Sequence, residues 1–99
     1  MSDNVFRLET VVQHAQGLHA RPAVQLVEAA MAFDSEIQLL KDDTAVDAKS
    51  VLQVLTLGAT NGTSLVVVAT GPDAEDAAKA VATVIQANAD SAIPAESDN

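Results

Sequence analysis

The sequence has little of three residue types, and each shortage excludes a class of protein. It has no cysteine, which excludes disulfide bonds and thiolate metal sites. Aromatic residues make up 2% of the chain, all of them phenylalanine, so little is available to stack on nucleic-acid bases. Only 5 lysine and arginine residues stand against 14 acidic ones, and the net charge of −9 argues against a nucleic-acid partner.

Long hydrophobic segments are also missing. The chain opens on a polar stretch, so we expect no signal peptide, and no apolar run approaches the roughly 20 residues that span a membrane. We therefore expect a cytoplasmic protein without membrane insertion. Hydrophobic residues still make up 48% of the 99 residues, enough for one domain with an aliphatic core. The acidic excess leads to the hypothesis of a salty cytoplasm, where ions screen self-repulsion.

Hydrophobic periodicity predicts four strands and three helices in the order βαββαβα. The predicted elements are a strand at 5–13, a helix at 20–33, strands at 35–41 and 44–48, a helix at 49–57, a strand at 64–70 and a helix after Asp73, its expected N-cap. Helices covering one face of a sheet give a two-layer α/β sandwich. We expect a single domain over residues 1–89 and a disordered polar tail over 90–99.

The segment Gly17 to Ala23, GLHARPA, joins the first strand to the first helix. His19 lies where a helix cap stands, and Arg21 falls in the first turn. Free N–H groups and the helix dipole stabilise an anion at that end, and a guanidinium suits phosphate oxygens. Because an imidazole is also a nucleophile near neutral pH, the spacing indicates phosphoryl transfer onto His19. The alternative is an ordinary surface histidine at a helix start.

A second segment, Lys49 to Gly58, reads KSVLQVLTLG. Together the two segments resemble the signatures of the HPr family, the histidine-containing phosphocarriers of the phosphoenolpyruvate-dependent sugar phosphotransferase system (PTS). The first resembles the family's active site, and the second resembles the sequence around its regulatory serine. The similarity runs from about Phe6 to about Asn88, with the two motifs in the family's order.

The resemblance implies a topology that the pattern alone leaves open, since a ferredoxin-like βαββαβ fold shares most of the same order. The implied fold is α+β, an open-faced two-layer sandwich. It has a four-stranded antiparallel sheet of strand order 1-4-2-3, with three helices on one face.

The resemblance also implies a phosphocarrier rather than a stand-alone enzyme. Enzyme I, charged by phosphoenolpyruvate, would transfer a phosphoryl group to Nδ1 of His19, which would pass it to an enzyme II (EIIA-type) protein in sugar uptake. Arg21 and the loop and helix-start residues would stabilise the phosphoryl oxygens. Those loop and helix-start residues are Gly17, Leu18 and Ala20. No metal or other cofactor is implied.

Two alternatives stay open, and a third is excluded. One is an HPr-like carrier that serves a dihydroxyacetone kinase or a nitrogen-related branch. Another is a regulatory docking module modified on Ser50, where the resemblance implies phosphorylation by an HPr kinase, although a serine at a helix start is first of all a cap. A metal-binding ferredoxin-like module would need ligands that the chain lacks.

The predicted second helix has five large aliphatic residues, which cannot all face one core. If Val54 and Leu57 point inward, the others stay at least partly exposed and form a docking patch. The expected docking residues, on the surface that the resemblance assigns to partners, are Lys49, Val51, Leu52 and Leu55. The alternative is a helix buried on all sides between two layers.

Two further expectations concern the neighbourhood of the active site. His14 lies five residues before His19, but no carboxylate pattern joins the pair in a metal site, so we expect His14 at the surface without a role. Many family members carry several basic residues around the active site. Here Glu28, Met31 and Gln53 occupy this region, so that the remaining basic residues are chiefly Arg21 and Lys49.

Overall fold

The computed structural model describes residues 4–87, and its seven elements follow the predicted order. The elements are β1 (Val5–Val11), α1 (Ala20–Met31), β2 (Glu36–Lys41), β3 (Thr44–Asp47), α2 (Val51–Thr56), β4 (Ser64–Thr70) and α3 (Ala74–Gln86). The predicted domain end at residue 89 and the predicted tail over 90–99 lie outside the described residues.

The four strands form one antiparallel sheet with the order β1-β4-β2-β3, which confirms the predicted topology. β4 lies in the centre, where Val67 pairs with Leu8 of β1 on one side and with Leu39 of β2 on the other. The core-facing residues of its apolar run are buried, whereas Val66 and Val68 on the opposite face are half-buried between the neighbouring strands.

The core lies between the sheet and the helices, and the strands alternate between core and solvent. Ile37, Leu39 and Val67 point into the core and are at most 1% exposed. On the opposite face of the sheet Arg7 and Glu9 are exposed. α3 packs on β1 and against α1, so the helices cover the core face of the sheet.

The buried face of α1 differs from the main apolar stripe of its sequence pattern, which runs through Val24, Val27 and Met31. Val24 is 42% exposed and Met31 is 62% exposed. The core side consists instead of Pro22 and the small or branched residues Ala23, Leu26 and Ala30. Apolar residues occupy both flanks of α1, and the periodicity alone did not decide which flank lies on the sheet. Small side chains on the core flank permit a close approach of the helix.

Asp73 stands at the N-cap position of α3, as predicted, but its side chain makes no cap hydrogen bond. Its carboxylate accepts hydrogen bonds from the Asp34 and Ser35 N–H groups at 3.0 and 2.9 Å and from the Ser35 hydroxyl at 2.5 Å. These bonds join the α1–β2 loop to the start of α3. The Ser35 hydroxyl, followed by the Asp34 N–H, lowers the pKa of the Asp73 carboxyl.

Gly71 lets the two chain segments approach at this point. Its φ is +147°, and a Cβ added there would lie 2.6 Å from the Ser35 Oγ.

The predicted second helix begins later than expected, at Val51 rather than Lys49, because Ser50 is its N-cap.

Candidate active site at the start of α1

His19 is the N-cap residue of α1, with φ −86° and ψ −165°, and its side chain makes no cap hydrogen bond. Its main-chain oxygen accepts the first helical hydrogen bond, from the Ala23 N–H at 2.9 Å. The ring is half-buried and forms no hydrogen bond with any residue in 4–87. Both ring nitrogens are therefore available to a reactant that approaches from outside the chain.

The loop before His19 is held against the segment that follows α2. The Leu18 N–H donates to the Ala59 carbonyl oxygen at 2.9 Å, and the Leu18 side chain is buried. Gly17 has φ +79°, and a Cβ on it would overlap the Ala59 carbonyl oxygen and lie 2.9 Å from the Thr60 Cα. Only glycine fits both the backbone angle and the space, so this contact sets where the chain enters α1.

The first turn of α1 has donors that the helix does not use. Pro22 has no N–H, and the Ala23 N–H is used by His19, which leaves the N–H groups of Ala20 and Arg21. The turn contains no acidic residue. The Arg21 side chain is exposed and has no ion-pair partner among residues 4–87. An anion beside the His19 ring would therefore meet two N–H groups, the positive helix end and a guanidinium.

The other basic residue expected near the site has a bond of its own. Lys49 donates from Nζ to the Phe33 carbonyl oxygen at 2.8 Å, just beyond the end of α1. Lys41 likewise donates to the Leu57 carbonyl oxygen at 2.9 Å. Of the basic residues expected around the site, Arg21 is thus the one whose charged group is not already bonded within residues 4–87.

Ser50 is confirmed as the cap of α2, because its Oγ accepts from the Gln53 N–H at 3.3 Å. The Gln53 side-chain oxygen accepts a hydrogen bond from the Asp47 N–H at 3.0 Å. The Ser50 and Gln53 side chains thus each accept from a main-chain N–H group around the start of α2. Gln53, noted above only for its lack of positive charge, therefore helps to hold the start of α2 in place. Phosphorylation of Ser50 stays a prediction.

The predicted inward and outward faces of α2 are confirmed. Val54 and Leu57 are buried, whereas Leu52 is 77% exposed and Leu55 is 36% exposed. Val51 is half-buried and packs against the core. The alternative of a helix buried on all sides is wrong. The docking role of the exposed residues stays a prediction.

His14 was expected at the surface, and that expectation is wrong. Its side chain is completely buried, and its Nε2 lies 2.8 Å from the Val84 carbonyl oxygen. The signal was in the sequence, since His14 continues the inward alternation of Thr10 and Val12 beyond the end of β1.

The helices within residues 4–87 have 12, 6 and 13 residues, so none of them could span a membrane.

Comparison with known proteins decides the family. A family model described as "PTS HPr component phosphorylation site" matches residues 6–87. The chain belongs to the HPr phosphocarrier family. A phosphocarrier protein HPr from Treponema pallidum is 41% identical over 75 residues, which cover 76% of this chain and 85% of the relative. Membership in the HPr family implies phosphoryl transfer within the PTS.

Solved HPr structures have the same fold. The crystal structure of HPr from Bacillus anthracis matches with a TM-score of 0.79 at 33% identity and covers 83% of this chain and 98% of that one. HPr-C-His from Thermoanaerobacter tengcongensis matches with a TM-score of 0.78 at 36% identity, over 82% and 91% of the two chains. The family and the fold that the two sequence motifs implied are confirmed.

Proposed function

We propose that this HPr-family protein accepts a phosphoryl group from enzyme I on His19 and passes it to an enzyme II protein of the EIIA type. One observation carries the proposal: the His19 ring forms no hydrogen bond within residues 4–87 and stands at the N-terminus of a 12-residue helix whose first turn has no acidic residue. By contrast, the first turn of α3 contains Glu75 and Asp76, which already supply negative charge to its dipole.

The proposed transfer needs a lone pair on the attacking ring nitrogen. By family resemblance that nitrogen is Nδ1, with the ring hydrogen on Nε2. The Nδ1–phosphorus bond forms while the bond from phosphorus to the donor breaks, and the donor keeps that electron pair. The Ala20 and Arg21 N–H groups and the Arg21 guanidinium then stabilise the charge on the phosphoryl oxygens. Gly17 and Leu18 contribute by holding the loop in place.

We further propose that partners dock on the exposed aliphatic side chains of α1 and α2. Leu52 and Met31 are the most exposed of these, at 77% and 62%. Basic side chains are scarce, and the Lys49 ammonium is bonded to Phe33. Burial of apolar surface therefore supplies most of the docking free energy, and Leu55 and Val51 extend the contact.

The acceptor defines the branch of the pathway. An enzyme II protein would place the chain in sugar uptake, and a dihydroxyacetone kinase or a nitrogen-related acceptor would place it elsewhere. Transfer from the phosphorylated chain to a panel of these acceptors separates them. We also propose a cytoplasmic location, because the proposed phosphoryl transfer depends on phosphoenolpyruvate and enzyme I. A regulatory module modified on Ser50 by an HPr kinase is the competing function.

The proposal is tested by incubating the pure protein with phosphoenolpyruvate and enzyme I of the same organism, followed by intact mass spectrometry. We expect one phosphoryl adduct that is lost in acid, is absent from His19→Ala, and is kept by the control variant Ser50→Ala. If the wild type gains no adduct while the enzyme I becomes phosphorylated by phosphoenolpyruvate in the same incubation, the carrier function is wrong. An acid-stable adduct that forms instead in a parallel incubation with ATP and an HPr kinase, and is lost in Ser50→Ala, would favour the regulatory module.

A further inference from the structure

A buried histidine that the proposed chemistry does not use lies at the base of the active-site loop. His14 is 0% exposed and its Nε2 is 2.8 Å from the Val84 carbonyl oxygen. A carbonyl oxygen only accepts, so Nε2 carries the hydrogen and donates it. The Nδ1 atom has no hydrogen-bond partner within residues 4–87. A buried ring with a single hydrogen bond depends on that bond for its orientation.

The acceptor lies in the last turn of α3, which ends at Gln86. The Val84 carbonyl oxygen accepts a long main-chain hydrogen bond from the Ala87 N–H at 3.3 Å, and a carbonyl oxygen has a second lone pair for another donor. The His14 ring supplies that donor. Next to it, the Gln13 N–H donates to the Ile85 carbonyl oxygen at 3.2 Å. The segment that leaves β1 is therefore attached to the end of α3 by one main-chain bond and one side-chain bond.

The main chain of His14 makes the other half of the connection. Its carbonyl oxygen accepts from the Gly17 N–H at 3.0 Å, which closes the turn that leads to His19. The same oxygen lies 3.3 Å from the Asn61 Nδ2, on the segment after α2. One residue thus contacts the end of α3, the active-site loop and the segment against which that loop packs.

We propose that His14 is a positioning residue, whose Nε2–H bond to the Val84 carbonyl fixes the loop over residues 14–18 and so the placement of the His19 ring. The effect on phosphoryl transfer builds on the proposed function, whereas the effect on the loop does not. His14 touches neither reactant. It acts through Gly17 and Leu18, whose N–H groups hold the turn and the contact with Ala59.

Two variants of matched length isolate the hydrogen bond. His14→Gln keeps an N–H donor at the ε position, as in the native ring, and His14→Met keeps the chain length and removes the donor. Both variants remove the imidazole to the same extent, so a role in packing alone changes them alike. A difference between the two reports on the donor.

Amide hydrogen exchange measures the loop directly, without enzyme I. We expect the Gly17 and Leu18 amides to exchange about tenfold faster in His14→Met than in the wild type, because one buried hydrogen bond that closes the loop is lost. In His14→Gln their rates should stay within about threefold of the wild type. The Ala48 amide, bonded to the Ile37 carbonyl oxygen at 2.9 Å, is the internal control for global unfolding.

Phosphoryl transfer from enzyme I is measured on the same three proteins at a temperature where all are folded. In His14→Met we expect kcat to fall about tenfold and KM to change less than about twofold, because the loop moves and the helix faces that dock do not. His14→Gln should recover most of the kcat. A role in folding alone would lower the amount of active protein without this split.

The outcomes are distinguishable. Equal exchange of Gly17 and Leu18 in all three proteins overturns the proposal, and so does equal change in both variants. If the amides exchange faster in His14→Met but kcat is unchanged, the proposed effect of His14 on phosphoryl transfer is wrong. If the wild type itself accepts no phosphoryl group, the proposed function fails, and the exchange rates still decide whether His14 holds the loop.

Discussion

Gly17 shows how one residue can determine the position of a functional side chain. The turn before His19 needs a positive φ and leaves no room for a Cβ beside Ala59. Both conditions come from the tertiary contact rather than from the turn alone. The position of the His19 ring therefore depends on a residue that makes no side-chain contact of its own.

Gly17→Ala should destabilise the protein and slow phosphoryl transfer. The φ of +79° costs an L-residue about 1 kcal/mol or more, and the overlap with the Ala59 backbone adds to this cost. Gly62→Ala is the matched control, because Gly62 also has a positive φ but no atom within 4 Å of an added Cβ. Urea unfolding should show a clearly larger loss for Gly17→Ala. Equal losses would contradict a tight contact at the loop.

Asp73 is a second single residue with an effect on the whole fold, because its carboxyl group makes the stability of the fold depend on pH. Its pKa is lowered in the folded protein by the Ser35 hydroxyl, followed by the Asp34 N–H. A lowered pKa means that the stabilisation is complete above the unfolded value of about 3.9 and is lost as the pH falls through the folded value. Asp73→Asn should therefore unfold at lower urea than the wild type at pH 7.

The difference between wild type and Asp73→Asn should shrink as the pH approaches about 2, where the unfolded carboxyl is protonated. Urea midpoints measured between pH 2 and 7 test this convergence. Ser35→Ala removes the largest cause of the shift and should raise the pKa of Asp73, as followed by NMR titration of its side chain. A constant difference at every pH would show that the carboxylate charge has no part in the contact.

At the scale of the elements, α2 and its C-cap residue Leu57 have aliphatic side chains on both a buried and an exposed side. Val54 and Leu57 face the core, and Leu52 and Leu55 face solvent. The helix has only six residues, too few to be stable by itself, so tertiary packing and the Ser50 cap must hold it in place. The exposed residues are consequently presented on a backbone that the buried ones fix.

Leu52→Gln should weaken docking without weakening the fold. Loss of one buried leucine at an interface removes about 1.5–3 kcal/mol of apolar burial, so we expect KM for transfer from enzyme I to rise tenfold or more. Val5→Gln is a matched control, since Val5 is also exposed, at 60%, but lies on the edge strand β1. An unchanged KM in Leu52→Gln would place the docking surface elsewhere.

Hydrophobic periodicity and turn residues predicted every strand and helix, because each of these elements has a strong local pattern of apolar and polar residues. The pattern could not tell which flank of α1 lies on the sheet, since Val24 and Leu26 are both apolar and only packing distinguishes them. It predicted His19 and Arg21 from a local motif. It missed His14, whose partner Val84 lies 70 residues away in the sequence, because no local rule connects the two.

At the scale of the whole molecule, the charge is strongly unbalanced. A net charge of −9 on 99 residues produces repulsion between surface carboxylates. Among residues 4–87 the one salt bridge, Lys79 to Glu75 at 2.7 Å, joins two exposed side chains and offsets little of it. Of the two basic residues expected around His19, Arg21 is exposed, whereas the Lys49 ammonium is bonded to the Phe33 carbonyl oxygen.

The thermal midpoint should rise with KCl, most steeply at low concentration. The Debye length falls from about 30 Å at 0.01 M to about 10 Å at 0.1 M and about 3 Å at 1 M salt. Relief of about 1 kcal/mol of repulsion raises the midpoint by about 4–8 °C in a domain of this size. Melting curves followed by circular dichroism measure it. A midpoint independent of KCl would exclude the hypothesis that the chain is adapted to a salty cytoplasm.

Whether His19 carries the phosphoryl group can be tested atom by atom, because the chain has two histidines. Uniformly ¹⁵N-labelled protein, phosphorylated with phosphoenolpyruvate and enzyme I, gives two sets of imidazole signals in a long-range ¹H–¹⁵N spectrum. We predict that only the His19 signals change, with phosphorus on Nδ1, while His14 keeps its hydrogen on Nε2. A phosphoryl group on His14, or an adduct that leaves both rings unchanged, would contradict it.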